Sequence, residues 1–372
     1  MTKIETFNIA ARLAQWADQK PESVALIEMR SGRQRTFKEL EQESSRLASG
    51  LIQFGMKSGE RVLLMVPYGI DFVTLTFAMF KAGLLPVLID PGLGKKNILK
   101  CIKQVQPHGM IAIPLAHAIK RIFPGTFKSI QHNVTVGTRW FWGGASLNKL
   151  LNSGKTDFKM ASMEKEHPAA ILFTSGSTGP AKGVLFSHGI FNHQVRILQE
   201  QFDIQPDETD LPTFPLFGLF SSGLGMTSII PDMDSTKPAH VDPKNIIVPI
   251  QNFKISSSFG SPALWDTVSQ YCLDQNIQLP TLKRIIMAGG PVSGDLLARF
   301  ETIIDKGCKI YTPYGATEVL PVSLIDRREI LDETWSLSNQ GKGTCVGHPI
   351  PGVEIKIIEI SRSEERRVGK EC

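Results

Sequence analysis

The sequence predicts an α/β protein of several lobes, with mostly parallel sheets flanked by helices. Three observations carry that class. Short apolar runs alternate with helical patterns along most of the chain, as when crossover helices join parallel strands. At least one run, "AAILF" at 169–173, is apolar without interruption, as a strand covered on both faces is. Hydrophobic residues make up 42% of the 372 and charged residues 21%, enough to bury a sizeable core.

The elements follow in order. The N-terminus mixes polar and apolar residues and lacks a signal-peptide core. "TFKELEQESSRLASGLIQFG" reads as an amphipathic helix. Thr36 and Glu39 have capping-box spacing, Leu40, Leu47 and Leu51 share a face, and Gly55 suits the C-cap. Residues 61–90 are the most apolar region, but Pro67, Asp71, Lys81 and Pro86 interrupt it. It therefore predicts a strand (62–66), a helix (72–82) and a strand (87–89), with no membrane span. A helix over 97–105 and a strand near 110–113 follow. Residues 131–166 are less regular and read as a connection between two lobes. After the 169–173 strand comes a glycine-rich stretch, then "GVLFSHG" and a helix over 190–202. "RIIMAGGPVSGDLLARFETIIDKGCKIYTPYGATE" reads as strand, glycine turn, helix, strand and loop. "GVEIKIIEI" alternates like a half-exposed strand. No repeat of solenoid period occurs.

The formal net charge is +5. The basic residues read as spread out, without a stripe interleaved with aromatics, so a nucleic-acid partner is not expected. Five cysteines form no CxxC pair, and Cys345 with His348 does not complete a metal site. That pattern predicts reduced thiols in a cytoplasmic protein.

"FTSGSTGPAKG", residues 173–183, carries the chemistry. Glycines let backbone N–H groups wrap phosphate oxygens. Thr174, Ser175, Ser177 and Thr178 add hydroxyls, and Lys182 adds positive charge. The spacing of Gly176 and Gly179 is wrong for a Walker A loop. A surface linker has a similar composition, but linkers rarely sit between two buried strands.

This stretch resembles the phosphate loop of the adenylate-forming superfamily: acyl-CoA synthetases, peptide adenylation domains and luciferases. "YGATE", residues 314–318, resembles the segment in which an aromatic ring packs on adenine. The resemblance implies that Tyr314, Gly315 and Ala316 hold the nucleotide, Thr317 faces the phosphates and Glu318 binds Mg²⁺. "AGGPVS", with Gly289 and Gly290, resembles the turn along the adenine and the acyl channel. "GHPIPGVEIKI" matches the strand lead-in after the site, so the resemblance runs almost to Ile360. It implies the N-terminal domain of the acyl-CoA synthetase-like fold, binding ATP and Mg²⁺. Thr174, Lys182, Thr317 and Glu318 would serve catalysis. Gly176, Ser177, Thr178 and Gly179 would join Ser175 in holding phosphates.

Acyl-CoA ligases usually carry a histidine or aromatic gate near 212–234, where this chain has Phe217 and Gly218 and no histidine. That stretch, with "FGSPALW" containing Gly260 and Ser261, resembles the olefin β-lactone synthetases. The resemblance implies a long-chain β-hydroxy fatty acid as substrate, adenylated and then closed by its own hydroxyl. A fatty acyl-CoA ligase using CoA is the alternative, and a non-catalytic nucleotide-binding protein is the rival of another class. Peripheral membrane contact and partner enzymes of a hydrocarbon or lipid pathway are compatible with either ligase. His188, His193 and His240 receive no role as a base; His188 could cap the helix after the loop.

The last eleven residues, "RSEERRVGKEC", resemble a translated sequencing adapter, so residues 1–361 are read as the adenylation domain and 362–372 as an artefactual tail. The family's ribose-binding aspartate motif, hinge and small C-terminal domain find no counterpart here. The expectation is a nucleotide pocket with weak or no adenylation.

Overall fold

A computed structural model describes residues 6–174 and 181–358. The first half runs α1 (Ala11–Gln19), β1 (Val24–Glu28), β2 (Gln34–Thr36), α2 (Phe37–Gln53), β3 (Arg61–Met65), α3 (Ile70–Lys81) and β4 (Leu85–Ile89). It continues with α4 (Gly94–Val105), β5 (Gly109–Ala112), α5 (Pro114–Ile122), β6 (His132–Thr135), β7 (Ala145–Ser146), α6 (Leu147–Ser153) and β8 (Pro168–Phe173). The second half has β9 (Gly183–Ser187), α7 (His188–Phe202), β10 (Thr209–Pro212), α8 (Pro215–Leu224), β11 (Thr227–Ile230), α9 (Lys244–Asn252) and β12 (Ser257–Gly260). Then come α10 (Pro262–Asp274), β13 (Arg284–Met287), α11 (Gly294–Arg299), β14 (Lys309–Ala316), β15 (Val319–Asp326) and β16 (His348–Pro349).

Two sheets result. One has seven strands in the order β7-β6-β5-β3-β4-β8-β9, and the other has nine in the order β16-β15-β14-β13-β12-β10-β11-β1-β2. Pairings are parallel except at β8–β9, β1–β2, β14–β15 and β15–β16. Alternation along the strands explains the layering. In β3, Val62 and Leu64 enter the central core with α2 and α3, whereas Leu63 enters an outer core under α4 and α5. The central core also holds Leu26, Ile230 and Phe259 of the other sheet, so it fills the space between the sheets. The far face of the nine-stranded sheet packs on α9, α10 and α11. The architecture is five layers, αβαβα.

Local sequence dictates the elements as expected in most places. The Glu39 N–H donates to Thr36 Oγ1 at 3.2 Å, and the Thr36 N–H donates to Glu39 Oε2 at 2.8 Å, closing the capping box.

Two readings are corrected. Residues 131–166 do not merely connect lobes: β6 and β7 extend the seven-stranded sheet and α6 packs on α2. Their strands are only four and two residues long, too short for a visible period. Residues 353–358 form no strand, and Ile357 is 96% exposed. Alternation supplies two faces, but a strand also needs a partner for its backbone groups.

Candidate functional site

The candidate site residues lie where strands of both sheets end. β8 stops at Phe173, and the next residue, Thr174, leaves the seven-stranded sheet. Its Oγ1 lies 2.7 Å from Oγ1 of Thr317, in the turn that joins β14 and β15 of the nine-stranded sheet. This contact joins the two halves that the sequence separates by 143 residues. Ser175, Gly176, Ser177, Thr178 and Gly179 lie outside the described residues. Lys182 is exposed just before β9.

The nine-stranded sheet supplies the opposite wall. Gly260 pairs with Met287, and Ile286 pairs with Tyr311, all in parallel register. The Ala288 N–H donates to the Gly260 carbonyl at 3.3 Å. Gly260, Gly289–Gly290 and Tyr314 therefore emerge on neighbouring chains that run the same way. Gly289 has φ +92° with open space around its Cα, so it gives a ligand close access to backbone. At Gly260 a Cβ would stand 2.6 Å from Trp265 Nε1, so the strand end tolerates no side chain. Ser261 caps α10 by accepting the Leu264 N–H at 3.2 Å.

"YGATE" is not a loop. Tyr314, Gly315 and Ala316 end β14, and Ala316 pairs with Val319, leaving Thr317–Glu318 as a two-residue hairpin turn. The turn fixes both side chains at the rim. Tyr314 is 53% exposed, an aromatic face open to stacking. Glu318 is exposed, forms no ion pair among the described residues, and lines an open groove of ≈ 960 Å³ beside His193, Gln194 and Leu320. Mg²⁺ takes one or two carboxylates plus substrate phosphates, and Glu318 fits that donor set. No cluster of three His, Cys, Asp or Glu side chains occurs among the described residues.

Phe217 and Gly218 lie in α8. The Phe217 ring stacks on Phe259 with centroids 3.4 Å apart and planes at 10°. Gly218 is buried, and a Cβ there would collide with the Tyr68 hydroxyl. Beneath them the Ser221 hydroxyl donates to Asp210 at 2.6 Å. Burial pushes the Asp210 carboxyl up to about 6, against that hydrogen bond. Sequence reasoning missed Tyr68 and Asp210; β10 reads Thr-Asp-Leu-Pro, too short and too polar to mark the acid as buried. Next to α8, Phe77, Phe191, Val195 and Leu219 enclose an apolar cavity of only ≈ 20 Å³. An acyl chain would enter it only if α8 or its aromatic side chains moved.

His188 is structural. Its Nδ1 accepts the Ile9 N–H at 3.2 Å, and burial lowers its imidazole to about 4. It does not cap α7: Ser187 does, accepting the Ile190 N–H at 3.2 Å, because the hydroxyl stands one residue ahead of the first turn. Cys101, Cys272 and Cys308 are buried free thiols, and burial raises Cys272 to about 11 and Cys308 to about 12.

Residues 13–371 match the model of a family described as AMP-binding enzyme. The chain belongs to that family. It is 39% identical over 366 residues to an olefin beta-lactone synthetase of Stenotrophomonas maltophilia, covering 95% of this chain and 65% of the relative. It is 40% identical over 364 residues to an olefin beta-lactone synthetase of Xanthomonas campestris, covering 95% and 64%. The chain thus spans just under two thirds of the length of these relatives. The fold matches that of a long-chain-fatty-acid-CoA ligase from Archaeoglobus fulgidus, with TM-score 0.78, 20% identity, and coverage of 93% of this chain and 69% of that one.

Proposed function

We propose that this chain carries the nucleotide site of an AMP-forming acid ligase that activates a long-chain β-hydroxy fatty acid and closes it to a β-lactone. The observation that carries the reading is the 2.7 Å contact between Thr174 and Thr317, which brings the residue that opens the glycine-rich stretch to the rim formed by the Tyr314–Glu318 hairpin. The names of the two relatives near 40% identity favour lactone closure over thioester formation. A long-chain-fatty-acid–CoA ligase of Thermus thermophilus is 24% identical.

The chemistry follows from charge. The acid's carboxylate oxygen bonds to the α-phosphorus of ATP, and pyrophosphate leaves. The β-hydroxyl oxygen then bonds to the activated carbonyl carbon, AMP leaves, and the hydroxyl proton passes to solvent. Intramolecular attack has a high effective concentration. In this reading the hydroxyls of Thr174 and Thr317 face phosphate oxygens, Lys182 offsets their charge, and Tyr314 stacks on adenine. Glu318 would hold Mg²⁺, which offsets charge on the triphosphate when bound. Phe217, Gly218, Gly260 and Ser261 would line the acyl entrance.

The test, run on a protein of the relatives' full length, is acid-dependent exchange of labelled pyrophosphate into ATP, with product analysis with and without CoA; the 372-residue chain by itself is expected to exchange weakly or not at all. Exchange and a CoA-independent lactone are expected. Glu318→Gln should lower exchange roughly a hundredfold, the size seen when one transition-state charge contact is removed. A strictly CoA-dependent thioester would overturn lactone closure. Nucleotide binding without any acid-dependent exchange would favour a non-catalytic nucleotide-binding protein.

A further inference from the structure

The net charge of +5 conceals a strong asymmetry. Between Asp90 and Asp157 there is no Asp or Glu, while ten Lys and Arg residues fall there. The segment carries +10 and the rest of the chain −5. The reading of evenly spread basic residues does not hold for this stretch.

The fold gathers most of these charges on one surface. α4 and α5 cover the same outer face of the seven-stranded sheet. Cys101 and Ile102 of α4 point into that core, while Lys95, Lys96, Lys100 and Lys103 are exposed on its other side. Arg121, Lys128 and Arg139 are exposed nearby. None of these seven forms an ion pair among the described residues. Lys149 and Lys155 lie apart, on and just after α6.

Large apolar side chains stand among the charges. Leu115 and Ile122, two turns apart on α5, are 67% and 69% exposed. Trp140 and Phe141 are 56% and 76% exposed in the loop between β6 and β7. That loop rests on α5: Trp142 stacks on His117 at 5.3 Å, and the Arg121 guanidinium lies 5.7 Å from the Phe141 ring. Because β4, β5, β6 and β8 are parallel, Lys95, Leu115 and the tryptophan loop follow the same strand ends from which Thr174 emerges.

We propose that this face docks on the surface of an anionic bilayer. Exposed Trp and Phe with aliphatic neighbours, ringed by unpaired Lys and Arg, have the chemistry of an interfacial membrane anchor. The lysines meet anionic headgroups, and the aromatic and aliphatic side chains enter the acyl boundary. Nucleic acid accounts for the charge but not for Leu115 and Ile122, which have no stacking face. Docking would hold the rim at Thr174 toward the bilayer. The inference stands apart from the adenylation reading, since it uses none of the site residues.

Flotation with vesicles tests it. The 372-residue chain should float with vesicles of equal phosphatidylglycerol and phosphatidylcholine at least tenfold better than with phosphatidylcholine alone. High salt should release it, because screening shortens the reach of surface charge. A variant with Lys95, Lys96, Lys100 and Lys103 changed to Gln should lose at least tenfold. Leu115→Ser with Phe141→Ser should lose binding while keeping its thermal midpoint, and brominated lipid should quench tryptophan fluorescence less in Trp140→Leu. No flotation with anionic vesicles at low salt would overturn the proposal. So would binding that both variants leave intact, or tighter binding to DNA than to anionic vesicles. Failure here would leave pyrophosphate exchange untouched, so the two readings can fail separately.

Discussion

Lys81 and Lys100 stand on opposite sides of the seven-stranded sheet, on helices of the same length. Lys81 closes α3 in the central layer, 1% exposed. Its Nζ meets Glu41 Oε1 at 2.6 Å and donates to Ser44 and Ser45 at 2.8 and 2.9 Å. Lys100, on α4, is exposed and without an ion pair among the described residues. α3 is buried along nearly its whole length, whereas α4 buries only Cys101 and Ile102 fully. The difference teaches how to sort charge in this fold. In the central layer a charge is tied into the packing, and its loss is felt as stability. On the outer face an exposed lysine without a partner adds no stability, so its role is sought outside the molecule.

The largest expected effect tests the central layer. Glu41→Gln leaves the buried Lys81 ammonium with neutral acceptors only, and should cost about 3 kcal/mol, the low end for breaking a buried pair. Lys81→Met removes the charge itself and keeps the length, so it should cost less, about 2 kcal/mol, because the Glu41 side chain is 24% exposed against 2% for Lys81. Urea midpoints read both. Equal costs would mean that the ammonium is not held as the geometry implies.

A smaller effect is pH dependence from two buried groups of opposite sign. His188 titrates at about 4 in the fold against 6.5 unfolded. Its neutral form is the one packed, so its contribution is full above 6.5 and is lost as pH falls through about 4. Asp210 titrates at about 6 against 3.8 unfolded. Its protonated form is favoured, so its contribution is full below 3.8 and is lost as pH rises through about 6. From pH 4 to 6 the slopes oppose, and the wild type should show a flat stability profile there. His188→Gln should unmask a fall in stability with rising pH over that window. Asp210→Asn should unmask a rise. Each is roughly 1–2 kcal/mol across the window. A flat profile in both variants would show that neither group is as buried as its surroundings indicate.

Much of the fold is legible in the sequence where a segment is long and its period strong. α2 shows its capping box and apolar stripe, and the β3–α3–β4 unit shows two buried strands about a helix. What fails is pairing. β7 has two residues and no period, so only the neighbouring β6 reveals it. "GVEIKII" has a period but no paired strand among the described residues. Tyr314–Ala316 reads as loop because a ladder with β15, not local preference, makes it a strand. The site is legible as motifs, since "FTSGSTGPAKG" and "YGATE" each carry dense chemistry. Their meeting at Thr174 and Thr317 is a product of topology, with one residue on each sheet. The basic face escaped notice because a whole-chain charge sums over it.

The smallest effect is the most informative about the outer face. Changing Lys95, Lys96, Lys100 and Lys103 to Gln should alter stability by no more than about 0.5 kcal/mol, as for surface sites without buried partners. The direction can also be argued. Lys95 and Lys96 lie in the first turn of α4, which holds no acidic residue, so they oppose the helix dipole. Lys96 and Lys100 are four residues apart, and Lys100 and Lys103 three, so each pair repels along one helical face. Neutralising them should therefore stabilise the chain by a few tenths of a kcal/mol, read as a small rise in thermal midpoint. A loss above about 1 kcal/mol would show that the lysines serve the fold, and would remove the ground for seeking their partner outside it.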